Sequence, residues 1–467
     1  MKKKKITMMI PVQIKEEKYY SRFQLLDKFS CNYDKLDSIL DKLNRNKIIN
    51  IKVNENSEQC IKFVFVGVLI IENFVIYCHP KYTTKYEFND LKQIIKVIER
   101  FQYDDDIVHI QNDINNNESI NMLPLMLFFI KDYHENGLYS NYQEIIEHDG
   151  EGEILWQKTI DYNQVIIRDN RPYYYDLITR NRTNDLKNYF RTLHKIIITK
   201  CSKDLENANL LNLFDLSKIE LSDETLESFD DKDHILNMIN HEWHSQFNTR
   251  KIELLEAMKL FILNKSSNIG INKCFSLYGT TSFYHVWEKV CCNVLNDVKD
   301  TPLRNIPLPK ELNEKYADNT DLMSIIEKPS WNILEREPKL KSSLEPDLIS
   351  ITEKNGRYTF YILDAKYYNI EYNKKLDNQP GIESITKQYL YHLAFKEFIE
   401  LHDFDWAKNC FLFPSNSSIV KNIGFVELKM LNNFGLAEIQ IILLPAKKIY
   451  QKFLDNESFD IADLKLK

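Results

Sequence analysis

The chain contains few of the residues that interrupt regular structure: its 467 residues include only 10 Gly and 13 Pro. Long flexible linkers are therefore not expected, and the hydrophobic fraction of 43% is that of a folded chain. Single hydrophobic cores stop growing beyond about 250–300 residues. A chain of this length should accordingly divide into two or three domains.

The sequence also lacks an excess of positive charge. Its 61 Lys and Arg are outnumbered by 68 Asp and Glu, which gives a formal net charge of −7. This balance excludes a uniformly basic coat for nucleic acid. A local basic groove stays compatible with it, because only the field near the bound phosphates matters.

Long hydrophobic runs and paired cysteines are missing as well. The longest apolar run, residues 122–130, contains Pro124 and is far shorter than the roughly 20 residues that span a bilayer. The eight cysteines include no C-x-x-C pair, so we expect reduced thiols in a cytoplasmic protein without membrane contact. No G-x-x-x-x-G-K-[ST] occurs, so no nucleotide site of its own is expected.

Strand-type and helix-type patterns alternate along the chain, which predicts a multidomain protein of the mixed α/β class. We expect a mixed α/β region over residues 1–200, a helical connector over 201–268 and a C-terminal domain over 269–467. In the last segment, the patterns predict helices near 282–296 and 383–401, with strands near 345–366, 408–413, 423–430 and 438–444. This order predicts a mixed central sheet flanked by helices.

Two of these strand-like runs flank Asn355-Gly356, the strongest short-range signal for a two-residue type I′ hairpin turn. Such a turn pairs position 354 with 357 and, counting outward, places Asp347 opposite Asp364. Because side chains alternate along a strand, Lys366 should lie on the same face as Asp364. A bulge would shift this register by one residue.

Two carboxylates that face each other across a ladder repel, and a divalent cation between them removes the penalty. Hard oxygen ligands such as Asp suit Mg²⁺ or Mn²⁺. Such a metal polarises a phosphodiester oxygen and acidifies a bound water, while a neighbouring ammonium positions the nucleophile or stabilises developing charge. Asp-x-Lys alone is common, so the prediction rests on its combination with Pro346-Asp347, the turn and the register.

The pattern Pro346-Asp347…Asp364-Ala365-Lys366 resembles the PD-(D/E)xK motif of the restriction-endonuclease-like superfamily. The resemblance implies that the helix before the hairpin supplies a further acid, for which Glu288 is the candidate. An ion pair of Glu288 with Lys289 or another neighbour on the helix surface is the alternative interpretation. Gln388 and Tyr391 resemble a Gln-plus-Tyr element of some branches and are second-tier candidates.

Several further segments resemble the LlaJI-type restriction endonucleases, relatives of the McrC nuclease subunit. They are Phe63-Val64-Phe65-Val66-Gly67-Val68, His79-Pro80-Lys81-Tyr82, the run 150–160 from Gly150-Glu151-Gly152, the run 278–288 from Tyr278-Gly279-Thr280, and Gly424-Phe425-Val426-Glu427-Leu428. The resemblance implies a two-component restriction system in which an McrB-like AAA+ NTPase, using GTP or ATP, acts on DNA and this subunit cleaves it. It also makes residues 1 to about 200 the candidate partner-binding region.

The expected function is therefore Mg²⁺-dependent (or Mn²⁺-dependent) hydrolysis of double-stranded DNA in anti-phage defence. Asp347, Asp364 and Glu288 are expected to bind the metal, and Lys366 to assist the water. Two alternatives stay open: a self-contained nuclease of repair or toxicity, and an interaction subunit that mainly stimulates an AAA+ motor. The sequence contains no recognisable base-reading element.

Overall fold

The computed structural model describes residues 9–53, 59–104, 121–140, 142–184, 188–265, 275–331, 339–340, 343–370, 378–436 and 438–466. The chain forms two compact units. The first unit comprises residues 109–276 together with the N-terminal residues up to Met9, and the second comprises 10–108 and 277–467. The prediction of a multidomain, mixed α/β protein is confirmed.

The second unit begins with a helix pair and two small sheets. Its elements are β1 (Ile10–Lys15), β2 (Tyr19–Ser21), α1 (Arg22–Phe29), α2 (Tyr33–Arg45), β3 (Ile49–Val53), β4 (Gln59–Phe63), β5 (Val66–Ile71), β6 (Phe74–His79) and α3 (Phe88–Asp104). Strand β4 pairs antiparallel with β2 and β3, while β6 pairs parallel with β1 and antiparallel with β5. Strands β5 and β6 are buried throughout, in keeping with their unbroken apolar runs.

The first unit contains a small sheet, an exposed hairpin and a group of packed helices. Its elements are α4 (Met122–Asn136), β7 (Tyr142–His148), β8 (Glu153–Ile154), α5 (Trp156–Tyr162), β9 (Val165–Arg168), β10 (Arg171–Tyr174), β11 (Ile178–Asn184), α6 (Tyr189–Asn207), α7 (Leu226–Phe229), α8 (Lys232–Ser245) and α9 (Thr249–Lys265). Strand β11 pairs antiparallel with β7 and β8. Helix α4 is tied to α9 by the ion pair of Asp132 with Arg250 and by the edge-to-face rings of Phe129 and Phe261.

The second unit continues with β12 (Ser276–Thr280), α10 (Phe283–Val294), β13 (Ser330–Trp331), β14 (Lys339–Leu340), β15 (Leu348–Lys354), β16 (Arg357–Ala365), α11 (Ile382–Leu401), β17 (Trp406–Ser415), β18 (Lys421–Val426), β19 (Ile439–Pro445) and α12 (Ala446–Asp455). Short 3-10 helices lie at Leu303–Asn305, Glu314–Tyr316, Met323–Ile325, Lys429–Phe434 and Ile461–Leu464. Five strands form one sheet in the order β15-β16-β17-β19-β18. Strands β16, β17 and β19 run parallel, and the two edge strands are antiparallel, so the predicted mixed sheet is confirmed.

The hairpin β15–β16 has the predicted register. Both turn residues adopt positive φ, 55° at Asn355 and 74° at Gly356, as a type I′ turn requires. Lys354 faces Arg357, and the pairing continues without a bulge to Leu348 and Leu363. The Asn355-Gly356 turn therefore sets the register of β15, an edge strand of the sheet, against β16.

Residues 10–108 group with the C-terminal segment, which differs from the three consecutive domains expected from the sequence. Strand β12 pairs with β5 at the edge of the sheet β1-β6-β5-β12. Helix α3 packs against α12, where the Arg100 guanidinium donates to the carbonyl oxygens of Phe453 (2.7 Å) and Leu454 (2.8 Å). The predicted helical connector likewise packs with earlier helices, because α9 lies against α4. No helix in the described ranges is both long and apolar enough to cross a membrane.

Candidate active site

Asp347 and Asp364 meet at the open end of the hairpin. Asp347 directly precedes β15, and Asp364 is the penultimate residue of β16. The register of the ladder, continued by one position, places them opposite each other. The backbone N–H of Ala365 donates to Asp347 Oδ2 at 2.8 Å, so the strand that carries Asp364 also holds the Asp347 carboxylate. Asp364 is buried, with 3% of its surface exposed, and Asp347 is half-buried.

Lys366 lies on the same side as Asp364, as predicted. Its Nζ is 2.9 Å from Asp364 Oδ1, and its side chain is partly buried. The Lys366 backbone N–H donates to the carbonyl oxygen of Leu412 on β17 at 2.9 Å. The parallel pairing of β16 with β17 therefore extends by one residue to Lys366, and this fixes the position of the Lys366 backbone.

Asp364 and Lys366 shift each other's pKa values. Burial raises the pKa of Asp364 well above its usual range, and the hydrogen bond and negative charge of Asp347 raise it further. Burial alone would lower the pKa of Lys366, but the Asp364 carboxylate beside it raises that pKa overall. Two close carboxylates with one ammonium leave a deficit of positive charge. Their hard oxygen atoms fit a divalent metal such as Mg²⁺ or Mn²⁺.

Glu288 lies on α10, at the margin of its buried face. Phe283, Trp287 and Val290 are fully buried, and Glu288 is half-buried. Burial raises the pKa of Glu288, and the next largest cause is the negative charge of Asp347. Glu288 also lies 3.5 Å from His285 Nδ1 on the same helix, so a surface pair with a neighbour is present as well. Within the residues that the structure describes, no three His, Cys, Asp or Glu side chains form a group that could hold a metal ion.

Gln388 and Tyr391 lie on α11, where each makes a hydrogen bond to the hairpin or to the segment just before it. The fully buried Gln388 amide donates to the Ile362 carbonyl oxygen (3.1 Å) and to Asn409 Oδ1 (2.7 Å), which ties α11 to β16 and β17. The Tyr391 hydroxyl donates to the Glu345 carbonyl oxygen at 2.9 Å, two residues before Asp347. Burial raises the pKa of Tyr391, and the charges of Asp364 and Asp347 are the next causes.

Two residues that the sequence did not single out anchor Asp347 from the other side. Asp297 Oδ1, in the loop after α10, accepts from the backbone N–H groups of Ile349 (2.9 Å) and Lys299 (3.1 Å). Lys299 Nζ donates to the Asp347 carbonyl oxygen at 3.2 Å and lies 3.6 Å from Glu345. No spacing or motif marks this loop, because its link to the hairpin is a long-range contact.

Comparison with known proteins identifies the family. The family model described as LlaJI restriction endonuclease matches residues 65–447. The chain belongs to the LlaJI restriction endonuclease family. The resemblance inferred from the sequence is therefore confirmed, and the chain is grouped with the nucleases of restriction systems. Within the second unit the match includes residues 65–108 and 277–447, and so the whole hairpin β15–β16.

One relative and two solved structures are similar to this chain. The "Type II restriction enzyme BsuMI component YdjA" of Bacillus subtilis (strain 168) is 28% identical over 423 residues, which cover 88% of this chain and 84% of that protein. Two solved structures are also similar. A half-complex of Thermococcus gammatolerans McrB AAA+ hexamers with bound McrC matches at 11% identity and a TM-score of 0.36, over 96% of this chain and 99% of that one. The cryo-EM structure of the Thermococcus gammatolerans McrBC complex matches at 14% identity and a TM-score of 0.22, over 55% and 79%. These TM-scores are too low to establish a shared fold.

Proposed function

We propose that this chain is the DNA-cleaving subunit of a two-component, NTP-dependent restriction system in anti-phage defence. It hydrolyses phosphodiester bonds of double-stranded DNA with Mg²⁺ or Mn²⁺ as cofactor. The observation that carries the proposal is the buried Asp364 beside Asp347, with Lys366 Nζ 2.9 Å from Asp364 Oδ1. A buried carboxylate of raised pKa, next to a second carboxylate and a lysine, is costly to a fold and serves no evident packing purpose.

Each residue of the site has a role that follows from its position. Asp347 and Asp364 would hold the metal. Glu288 would orient a metal-bound water from α10, because it does not form a three-carboxylate group with them. A bound Mg²⁺ supplies Lewis acidity and a more acidic water. Lys366 keeps its ammonium form, because the neighbouring carboxylates raise its pKa, and would offer its N–H donors to the attacking water or to the charged phosphate. The PD-(D/E)xK assignment is part of this proposal.

An exposed hairpin in the first unit is a candidate binding surface for a protein partner. Strands β9 and β10 are joined by Asp169-Asn170, both with positive φ, in a tight two-residue turn. The side chains of the hairpin and of the residue after it are largely exposed although several are apolar, including Ile166 (51%), Ile167 (70%) and Tyr175 (82%). Exposed apolar clusters of this kind mark interaction surfaces. The hairpin falls within residues 1–200, the region from which we expect contact with the AAA+ NTPase.

Plasmid cleavage tests the proposal directly. The purified chain is incubated with plasmid DNA and Mg²⁺, alone and with an McrB-like AAA+ protein plus GTP or ATP. We expect cleavage only when partner and nucleotide are both present, and at least about a hundredfold less with Lys366→Ala. Undiminished cleavage by Lys366→Ala would disprove the site. Robust cleavage without a partner would instead support a self-contained nuclease, and stimulation of the NTPase without cleavage would support an interaction subunit.

The partner surface has its own test. Ile167→Asp places a charge on the apolar hairpin and should abolish co-purification with the AAA+ protein. Ile419→Asp is the matched control, because Ile419 is similarly exposed (60%) but lies in the second unit. Equal binding by both variants would exclude the hairpin as the contact.

A further inference from the structure

Residues at the ends of two N-terminal strands contact Tyr367, the residue that follows Lys366. Strands β1 and β6 are parallel and end at Lys15 and His79. Glu16 directly follows β1 and Lys81 lies two residues beyond β6, so both lie at the same edge of this sheet. There they contact Tyr367, so the segment His79-Pro80-Lys81-Tyr82 lies beside the candidate active site.

The contacts form a closed, buried set. The Tyr367 hydroxyl donates to Glu16 Oε2 at 2.5 Å, and the backbone N–H of Lys81 lies 3.2 Å from the same carboxylate oxygen and 3.3 Å from the Tyr367 hydroxyl. Lys81 Nζ lies 4.4 Å from the centroid of the Tyr367 ring. Glu16 and Tyr367 are 6% and 4% exposed. Hydrogen bonds to a carboxylate in such an environment are short and strong.

Lys366 and Tyr367 are adjacent, yet their side chains have different partners. Lys366 contacts Asp364, whereas Tyr367 is held by Glu16. The chain also leaves the ladder here, because the Tyr368 backbone N–H donates to the Lys366 carbonyl oxygen at 3.0 Å. Beyond β16 the backbone of Lys366 is thus fixed by Leu412 on one side and by the Tyr367 side chain on the other.

We infer that Glu16 and Tyr367 are positioning residues that hold Lys366 in place for DNA cleavage, with Lys81 closing the hydrogen-bonded set. This inference rests on the proposed function. A long, flexible lysine acts only when its ammonium is placed accurately, and a displacement of about 1 Å can cost roughly a hundredfold in rate. The inference also gives residues 10–108 a part in the nuclease site of their own unit.

A purely structural hydrogen bond and a positioning one predict different results. Loss of a structural bond lowers stability and leaves the turnover of the folded protein unchanged. Loss of the positioning bond lowers kcat and leaves KM for DNA unchanged, since neither Glu16 nor Tyr367 is assigned a contact with DNA.

The test compares Glu16→Ala, Glu16→Gln and Tyr367→Phe in the full chain with its AAA+ partner, nucleotide and Mg²⁺. We expect Glu16→Ala and Tyr367→Phe to lower kcat roughly tenfold to a hundredfold, with KM changed by less than about twofold. Glu16→Gln should retain most of the activity, because an amide oxygen still accepts from the Tyr367 hydroxyl. The double variant Glu16→Ala with Tyr367→Phe should be no worse than the poorer single variant. Tyr358→Phe, the same chemical change at the other end of β16, is the matched control.

Hydrogen exchange gives a readout that does not depend on cleavage. The backbone N–H groups of Ala365, Lys366 and Tyr368 are all hydrogen-bonded in the structure. Glu16→Ala and Tyr367→Phe should accelerate exchange in residues 365–368 and not at the turn 355–356. Unchanged exchange there, or reduced stability with unchanged kcat, overturns the inference. If the wild-type chain cleaves no DNA with its partner, the proposed function fails, and the exchange result still decides whether Glu16 fixes this segment.

Discussion

The Ala365 backbone N–H donates to Asp347 Oδ2 at 2.8 Å, which locks one carboxylate of the site to the strand that carries the other. The two aspartates are 17 positions apart in sequence but are joined by a two-residue turn and an unbroken ladder. Lys366 continues the same strand, so one hairpin carries three of the proposed site residues. The predictions below test this hairpin and its surroundings.

Lys366→Ala should lower the rate of DNA cleavage by at least about a hundredfold. A single preorganised hydrogen-bond donor to the charge that develops in the transition state contributes roughly that factor in rate. Lys354→Ala, in the same hairpin but beside the turn, should change the rate by less than about twofold. Initial rates of plasmid cleavage with partner, nucleotide and Mg²⁺ provide the measurement. Similar losses of cleavage rate in both variants would mean that Lys366 contributes only to the overall positive charge of the hairpin and has no specific role at the site.

Mg²⁺ should stabilise the wild-type protein, and Asp364→Asn should remove most of this effect. A ligand that binds only the folded state stabilises it by about 2.7 kcal/mol at a hundred times its Kd. Thermal unfolding with Mg²⁺ and with EDTA measures the difference. Asp318→Asn, at an exposed position, should respond to Mg²⁺ like the wild type. In EDTA at neutral pH, Asp364→Asn should be at least as stable as the wild type, because burial and Asp347 raise the pKa of Asp364 and so disfavour its charged form.

Glu16 should make the stability depend on pH. Burial raises the pKa of Glu16 from 4.5 to about 7. Between these values the folded chain keeps a proton that the unfolded chain has released, so the free energy of unfolding falls as pH rises, by up to about 1.4 kcal/mol per pH unit. Glu16→Gln should remove this contribution, whereas Glu17→Gln, at the exposed neighbour whose charge is only a minor cause of the raised pKa, should keep most of it. Urea unfolding at about pH 5, 6 and 8 measures it, and parallel curves for wild type and Glu16→Gln would contradict the prediction.

The hairpin turn should tolerate glycine at its first position, 355, but should not tolerate alanine at its second position, 356. Gly356 has φ of 74° with open space where a Cβ would be, so Gly356→Ala should cost about 1–2 kcal/mol through backbone conformation alone. Asn355→Gly keeps the positive φ accessible and should change the free energy of unfolding by less than about 0.5 kcal/mol. Urea unfolding measures both. If Gly356→Ala left the free energy of unfolding unchanged, the turn would not require a positive φ at position 356.

Gly67 tests the pairing that joins β5 to β12. A Cβ at Gly67, where φ is 140°, would lie 2.3 Å from the Tyr278 carbonyl oxygen. Gly424 has φ of 139° and nothing within 4 Å, so Gly424→Ala isolates the conformational cost. Gly67→Ala should therefore cost about 1–3 kcal/mol more than Gly424→Ala in urea unfolding. Equal costs would mean that β5 and β12 can separate freely.

Most of the candidate site could be predicted from the sequence because its information is local. Asn355-Gly356 selects a two-residue loop, and the loop fixes which residues face each other, so Asp347, Asp364 and Lys366 followed by counting. The helix-type pattern near 282–296 placed α10 correctly for the same reason. Gln388 and Tyr391 were predicted on the right helix, but only side-chain contacts show that they bond to the backbone of β16 and of the segment before Asp347.

The sequence by itself thus determined the mixed α/β class, the hairpin and its register, and a family resemblance that the comparison confirmed. Only the tertiary structure decided that residues 10–108 pack with 277–467, and that Glu16, Asp297 and Lys299 adjoin the hairpin. Turn chemistry and periodicity act over a few residues and can be recognised in the sequence. The long-range contacts depend on how whole surfaces fit, as where Gly67 and Gly279 let two strands approach, and no spacing in the sequence records that fit.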